Sequence, residues 1–414
     1  MASDLRTSVR TMPIRRPAPH ALEHRRTSSR LRRGIALGVV ATLSLGCGAA
    51  VAMYRHLDSN INDAGDVTAL LGARPTPSPT SSAPSDAHAG AAVNALILGS
   101  DDRSGQNASI GGVEAGMRSD TTIVAHISAD RTRVELVSIP RDLVIDRPSC
   151  TMKDGSTTHA AAGSMFNDAF AVGWDHSGDL GSAAACTWKT VETITGVRLD
   201  GFVLLDFVGL TAMVDAIGGV PICLPKALDD SLTGLHVPAG PQVFDGATAV
   251  QFARARHDVG DGSDTQRILR QHDLMAAMAR SLLSAKTLSN PVALYSFAGA
   301  ATKSLTASEG FASLADLTGL GLSLRHVGAD RIVFMSMPTA VSPTNKNRRV
   351  ATPEAATLWA RVAADEPVGE APEPSQLPAA APSSDASTPA AVVDPPWTPT
   401  GGALTSAEVS STCT

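Results

Sequence analysis

Seven arginines fall in or beside four short motifs between residues 99 and 271, with aspartates among them. The motifs are Gly99-Ser100-Asp101-Asp102-Arg103, Arg118-Ser119-Asp120-Thr121, Ser138-Ile139-Pro140-Arg141-Asp142 and the run from Arg254 to Gln271, RARHDVGDGSDTQRILRQ. A guanidinium is a planar fork of donors that suits paired phosphate oxygens. Carboxylate oxygens suit a hard cation, and Mg2+ typically takes one or two of them plus substrate phosphate oxygens. Arginines around an Asp101–Asp120 pair therefore suit a metal-bound pyrophosphate. Arg254 and Arg256 are two apart at a predicted helix end, so their side chains splay. Arg267 and Gln271 are i and i+4, on one helix face. The acidic residues Asp258, Asp261 and Asp264 lie between these groups. Their simplest role is surface ion pairing, worth about 1 kcal/mol or less each. His257 reads as a surface histidine and His126 as a structural one on a strand. The chain has no G-x-S-x-G elbow, Walker loop, HExxH or GxGxxG.

Elements that would hold these side chains alternate along the chain. Ala95–Leu98 reads as a buried strand, so Asp101 falls just past a strand end, where ligands bind in open sheets. Thr121–Ile127 and Arg133–Ile139 are β-branched runs joined by a turn at 128–131, a predicted hairpin that Asp120 immediately precedes. Trp188–Thr195 reads as a helix stopped by Gly196, Phe202–Phe207 as a strand and Leu210–Ile217 as a helix. Val220–Leu224 is a strand again. Asp245 is an N-cap candidate for a helix over Ala247–Ala255. Arg267–Leu283 is amphipathic, and Arg331–Met337 is a late strand. Mixed order of this kind predicts an α/β (α+β) domain with a mixed central sheet between helix layers, three layers in all.

Charge is distributed unevenly. Of the 34 basic and 40 acidic side chains, 9 arginines and 2 acids fall in residues 1–33, which leaves 25 and 38 on the rest. That larger acidic part lacks the positive field of a nucleic-acid binder. Residues 34–54 carry no charge. As a helix they would span roughly 32 Å, a bilayer core. The reading is a single N-terminal transmembrane helix behind an Arg-rich cytoplasmic tail (1–33), with the remainder outside the cell, since basic residues mark the inner side. A cleaved signal peptide would have a shorter apolar stretch. Residues 55–92 read as an extracytoplasmic linker, 93–350 as one folded domain and 366–414, rich in Pro, Ala and Ser, as a disordered tail. Among Cys150, Cys186 and Cys223 three disulfide pairings are open, with Cys150–Cys186 placed first. No CxxC pair supports a zinc or redox site.

The order GSDxR, RSDT, SIPRD, FNDAF, TGVRLDGFVLLDF, MVDAIGGVPICLP, DGATAVQFARAR and DGSDTQRILRQ, over residues 93–285, resembles the LytR–CpsA–Psr family of cell-wall glycopolymer ligases, actinobacterial type. The resemblance implies a mixed sheet between helices enclosing an apolar tunnel for a polyprenyl chain. It implies a Mg2+-assisted (or Mn2+-assisted) phosphotransferase acting on a polyprenyl-pyrophosphate-linked glycan, with peptidoglycan as acceptor and polyprenyl phosphate as the released product. Asp101 and Asp120 stand at the family's metal positions. Arg103 matches the motif arginine. Arg118, Arg141, Arg254, Arg256, Arg267 and Gln271 stand at its pyrophosphate positions, with Arg256 and Arg267 closest to the chemistry. Asp101, Asp120 or a metal-bound water would deprotonate the acceptor. Trp174 and His272 depart from the family pattern without changing a charged ligand. A polyprenyl-pyrophosphate pyrophosphatase and a non-catalytic lipid-linked-polymer binding protein are the other readings.

Overall fold

The structure is a computed structural model and describes residues 20–76, 90–101, 116–256, 264–368 and 404–405. Arg103, His257, Asp258 and Asp261, and nearly all of the expected C-terminal tail, lie outside the described residues.

Helix α1 (His20–Asp58) contains Arg32–Asp58, 27 residues long and apolar enough to cross a membrane. The expected span 34–54 lies within it. After β1 (Asn62–Asp63) come β2 (Val93–Ser100), β3 (Ser119–Ile127), β4 (Val134–Ser138), β5 (Val144–Arg147) and β6 (Ala161–Met165). Two helices follow, α2 (Asp168–Ser177) and α3 (Leu180–Thr195), and β7 (Gly201–Leu205) then leads into α4 (Phe207–Ala216). Four short strands, β8 (Val220–Leu224), β9 (Leu228–Asp230), β10 (Leu235–Val237) and β11 (Gly240–Phe244), precede α5 (Gly246–Arg254) and α6 (Asp264–Leu283). Then come α7 (Ala285–Leu288), α8 (Pro291–Ser304), β12 (Leu305–Ala307) and α9 (Leu314–Ser323). The last elements are β13 (Ile332–Ser336), β14 (Thr339–Val341), β15 (Arg349–Ala351), α10 (Pro353–Ala363) and β16 (Leu404–Thr405).

The main sheet has eight strands in the order β1-β12-β7-β2-β3-β4-β13-β16. β2 pairs with β7 in parallel and with β3 antiparallel, and β4 pairs with β13 in parallel, so the sheet is mixed. Strand alternation divides its side chains between two faces. Leu96, Leu98, Val124, Val137, Phe202 and Leu204 enter one core with Phe170 of α2, Trp188 of α3 and Trp359 of α10. Val93, Ala95, Ala125 and Ile127 enter another, against which Leu317 and Leu320 of α9 pack. This is the three-layer arrangement expected. A further apolar cluster joins α4, α5 and α6 to β8 and β11.

Local signals set the ends of the elements. Asp179 caps α3 by accepting from Ser182 N at 2.7 Å, and Gly196 stops it at φ 69°. Asp245 caps α5 by accepting from Thr248 N at 2.8 Å. Buried His126 is fixed between Asn94 Oδ1 at 2.7 Å and Asp365 Oδ1 at 3.1 Å, which ties the chain after α10 to the sheet.

Two boundaries differ from the sequence reading. The expected linker 55–92 is in part folded. Here β1 pairs with β12, and Val67 and Leu71 are buried in the first core. Both are apolar and four apart, so one helical turn buries both, whereas Pro- and Ser-rich composition begins only at Pro75. The domain also runs past residue 350. Pro353 starts α10, which buries Ala355, Leu358, Trp359 and Val362 on one face.

Cys150 and Cys186 form a disulfide, with Cα atoms 5.3 Å apart, and fasten the loop after β5 to α3. Cys223, on β8, is disulfide-bonded as well. The Cys150–Cys186 bridge closes a loop of 36 residues. Replacing both cysteines by serine is expected to cost about 2–4 kcal/mol, read as a lower urea midpoint for unfolding of the detergent-solubilised chain.

Candidate active site

The candidate site is built at one end of the β2–β3 pair. Gly99 faces Thr121 across the ladder, Ser100 faces Ser119, and Asp120 is the extra residue of the bulge between them. A bulge re-aims the side chain it carries and is common beside active sites. Position 99 tolerates only glycine, because a Cβ there would stand 2.9 Å from Thr121 Cβ. Asp101 follows directly, its N–H donating to Arg118 O at 2.8 Å. Asp101, Arg118 and Asp120 thus occupy the same strand end.

Two arginines converge on Asp120. Arg141 Nη1 donates to its Oδ2 at 2.7 Å. Arg267 reaches from the first turn of α6, with Nη2 donating to Asp120 O at 2.9 Å and Nη1 3.8 Å from Oδ2. Asp264, at the start of α6, completes the cluster. Its Oδ1 lies 2.6 Å from Arg267 Nη2 and 3.3 Å from Arg141 Nε. The Asp264 side chain is only 2% exposed. The sequence reading made Asp264 a surface partner, and the structure corrects this. It begins a helix that runs under the sheet end, so it is buried and kept there by two cations.

Burial alone would raise the Asp120 carboxyl. The charges of Arg141 and Arg267 and hydrogen bonding by Arg141 and Asn167 outweigh it, and hold the group below the ordinary carboxylate range. Burial would likewise lower Arg141, yet Asp120 and Asp264 raise it above the usual arginine value. Arg267 is more deeply buried and goes the other way, lowered by desolvation despite Asp264. Asp142 is raised by burial and by the nearby Asp264 charge.

Other expected residues lie around this centre. Arg256 is close enough for its charge to act on Arg267, and its N–H donates to the buried Asp230 at 2.5 Å. Arg254 stacks its guanidinium 4.7 Å from the Phe207 ring centroid, at the start of α4. Gln271 Nε2 donates to Ala253 O at 3.3 Å, and Arg270 donates to Ala255 O, so α6 grips the end of α5. The structure therefore brings Asp120, Arg141 and Arg267 into contact and leaves Arg254 and Gln271 at the α5–α6 junction. Sequence reasoning missed Asp264, Asn167, Asp142 and Arg349. The first three lie inside motifs already noted, whereas Arg349, whose Nη2 donates to Thr265 Oγ1 at 2.5 Å, had no signal at all.

The fit to a divalent cation rests on Asp120. By strict geometry its Oδ1 is buried without a hydrogen bond, although Asn167 acts on the same carboxylate. No group of three or more His, Cys, Asp or Glu side chains converges among the described residues. A protein-only cage is thus not present there, but a magnesium site needs only one or two carboxylates beside phosphate oxygens. Asp120 offers one such carboxylate, and Asp101 stands at the same strand end.

Fold and site together define a class: a three-layer α/β domain preceded by one apolar N-terminal helix, with a carboxylate–guanidinium cluster at one end of its β2–β3 pair. The LytR_cpsA_psr family model matches residues 61–363, and the chain belongs to the LytR–CpsA–Psr family. It is 29% identical over 263 residues to the cell wall biosynthesis protein LcpA of Corynebacterium glutamicum, covering 60% of this chain and 50% of that one. It is 29% identical over 180 residues to the polyisoprenyl-teichoic acid–peptidoglycan teichoic acid transferase TagU of Enterococcus faecalis, covering 44% of this chain and 52% of that one. The chain spans about half the length of these curated relatives. Protein gbs0355 from Streptococcus agalactiae shares the fold, with a TM-score of 0.50 at 18% identity over 68% of this chain and 90% of that one.

Two outcomes follow from the electrostatics. Arg267→Ala leaves the buried Asp264 with Arg141 as its one cation, and should cost up to about 3–5 kcal/mol of stability, measured by chemical unfolding. Loss of activity in that variant therefore mixes folding with function, and Arg256→Gln is the cleaner probe. Asp273, half-buried on α6, is pushed up to about 7 by desolvation, against Arg280 and Arg270. With its folded value above the unfolded one, stability falls as pH rises between the two. Asp273→Asn should therefore raise the unfolding midpoint near pH 8, and the gain should shrink toward pH 4.

Proposed function

We propose that this protein is a membrane-anchored phosphotransferase. It moves a glycopolymer from polyprenyl pyrophosphate to peptidoglycan through a phosphodiester and releases polyprenyl phosphate. The observation that carries the reading is Asp120. It stands at a strand-end bulge between Arg141 and Arg267, which hold it in its charged form. The name of the Enterococcus faecalis relative, a teichoic acid transferase acting on peptidoglycan, supports the same donor and acceptor classes.

In the proposed reaction an acceptor hydroxyl oxygen attacks the phosphorus nearer the sugar. A new P–O bond forms, and the bond from that phosphorus to the bridging oxygen breaks. The electron pair leaves with polyprenyl phosphate, and the hydroxyl proton passes to a base. Such a transfer needs positioning and charge neutralisation more than covalent help. Arg141 and Arg267 are already fixed by Asp120 and Asp264, so they need little reorganisation when charge develops. Asp120 is held in its charged form and is therefore a poor proton acceptor. Its role is to hold a cation, which leaves Asp101 or water as the base. Bound Mg2+ would supply charge neutralisation at the pyrophosphate, with Asp120 and Asp101 as its protein ligands.

An apolar surface suited to a polyprenyl chain lies on one face of the sheet. Val203 and Leu205 point away from the core that takes Phe202 and Leu204, and they stay half-buried, as do Ile97 and Leu136. From α9, Leu317 and Leu320 pack against this face without being buried themselves. α1 would anchor the chain, with the Arg-rich segment in the cytoplasm and the domain outside.

The test uses the full chain in detergent with a lipid-pyrophosphate oligosaccharide and a peptidoglycan fragment. Expected products are glycan linked to the fragment by phosphate and free polyprenyl phosphate, with loss of both on chelation. Asp120→Asn should lower the rate by about 100-fold or more. Free glycan phosphate without linkage would identify a hydrolase instead. Tight lipid binding with no turnover would identify a binding protein.

A further inference from the structure

The cations already described are unequal. Arg141 and Arg267 spend their charge on Asp120 and Asp264, at 2.6–3.8 Å. Arg349 differs. Its guanidinium donates to a neutral partner, Thr265 Oγ1, at 2.5 Å, and its charge acts on the neighbouring Asp142 without an ion pair within 4.0 Å among the described residues. Thr265 is the residue after Asp264, so Arg349 stands beside the buried cluster. Its backbone is fixed there too. Arg349 N donates to Asp142 O at 3.1 Å, and the residue bridges to Leu143 just past the SIPRD motif. The residue is half-buried. None of its side-chain nitrogens is among the buried groups without a hydrogen bond. A guanidinium has five N–H donors, and one contact with a hydroxyl leaves most of them for another acceptor.

We propose that Arg349 is a further anion-binding residue of this site, delivered from the β14–β15 hairpin to take a phosphate oxygen of the substrate. The inference rests on the pyrophosphate reading above. It assigns to the C-terminal part of the domain a direct share in substrate binding. The hairpin loop adds two more cations, Lys346 and Arg348, on the same turn. The chemistry recognised is a phosphate or diphosphate group.

Direct binding tests it, with inorganic pyrophosphate and Mg2+ titrated calorimetrically into the full chain in detergent. Arg349→Gln should weaken binding by about 10- to 100-fold, the range for one lost charge-assisted hydrogen bond. Arg349→Lys should recover part of the loss, because a point charge remains without the fork. Arg325→Gln, an exposed arginine whose described contacts are His326 and Leu322, should bind like the wild type. Each variant's unfolding midpoint is measured alongside. Unchanged affinity in Arg349→Gln while the wild type binds overturns the inference and makes Arg349 a fastener of the hairpin. A parallel fall in affinity and unfolding midpoint, with no recovery in Arg349→Lys, overturns it equally. A wild type indifferent to pyrophosphate overturns the pyrophosphate reading itself, and this inference with it.

Discussion

A carboxylate as buried as Asp264 is tolerated only where cations replace the water it has lost. Two guanidinia do so, from Arg267 one turn along its own helix and from Arg141 after β4. Much of the site follows from that compensation. Because Asp264 holds both arginines, both can also face Asp120 without being free to swing into solvent. Buried ion pairs are weak sources of net stability. The arrangement is better understood as preorganisation, in which the fold bears the cost of fixing charges before any ligand arrives.

The sheet supplies the second constraint. The extra residue at the end of the β2–β3 ladder forces Asp120 out of the regular pleat, and the close approach of Thr121 to Gly99 leaves no room for a side chain at position 99. A carboxylate on a regular strand would follow the alternation and point into one of the two apolar cores. At the bulge it meets arginines instead. Thus the local irregularity, rather than the overall fold, decides that this aspartate faces polar partners.

The domain also encloses more chain than its motifs cover. β1, Val67 and Leu71 precede the first motif, while α10 and the segment around Asp365 follow the last. These segments pack against the central strands. The α5–α6 junction lies between: Arg270 and Gln271 hold the end of α5, and Asp230 holds the backbone of Arg256.

Alternating apolar residues in β2, β3, β4 and β7 made the strands and the three-layer class legible, because side-chain period is set locally. Caps at Asp245 and Gly196 were legible for the same reason. So was membership of the arginines and Asp120 in one chemical set, since each sits in a recognisable motif. The sequence pointed to a surface role for Asp264, wrongly, because burial depends on what packs above a residue, and it held no hint of Arg349, 84 residues from its partner Thr265. Nor did it choose among the cysteine pairings. Residue types and their spacing determined which chemistry the chain can perform. Only tertiary structure decided which charges are brought together and compensated, because electrostatic compensation acts through space and takes no account of order along the chain.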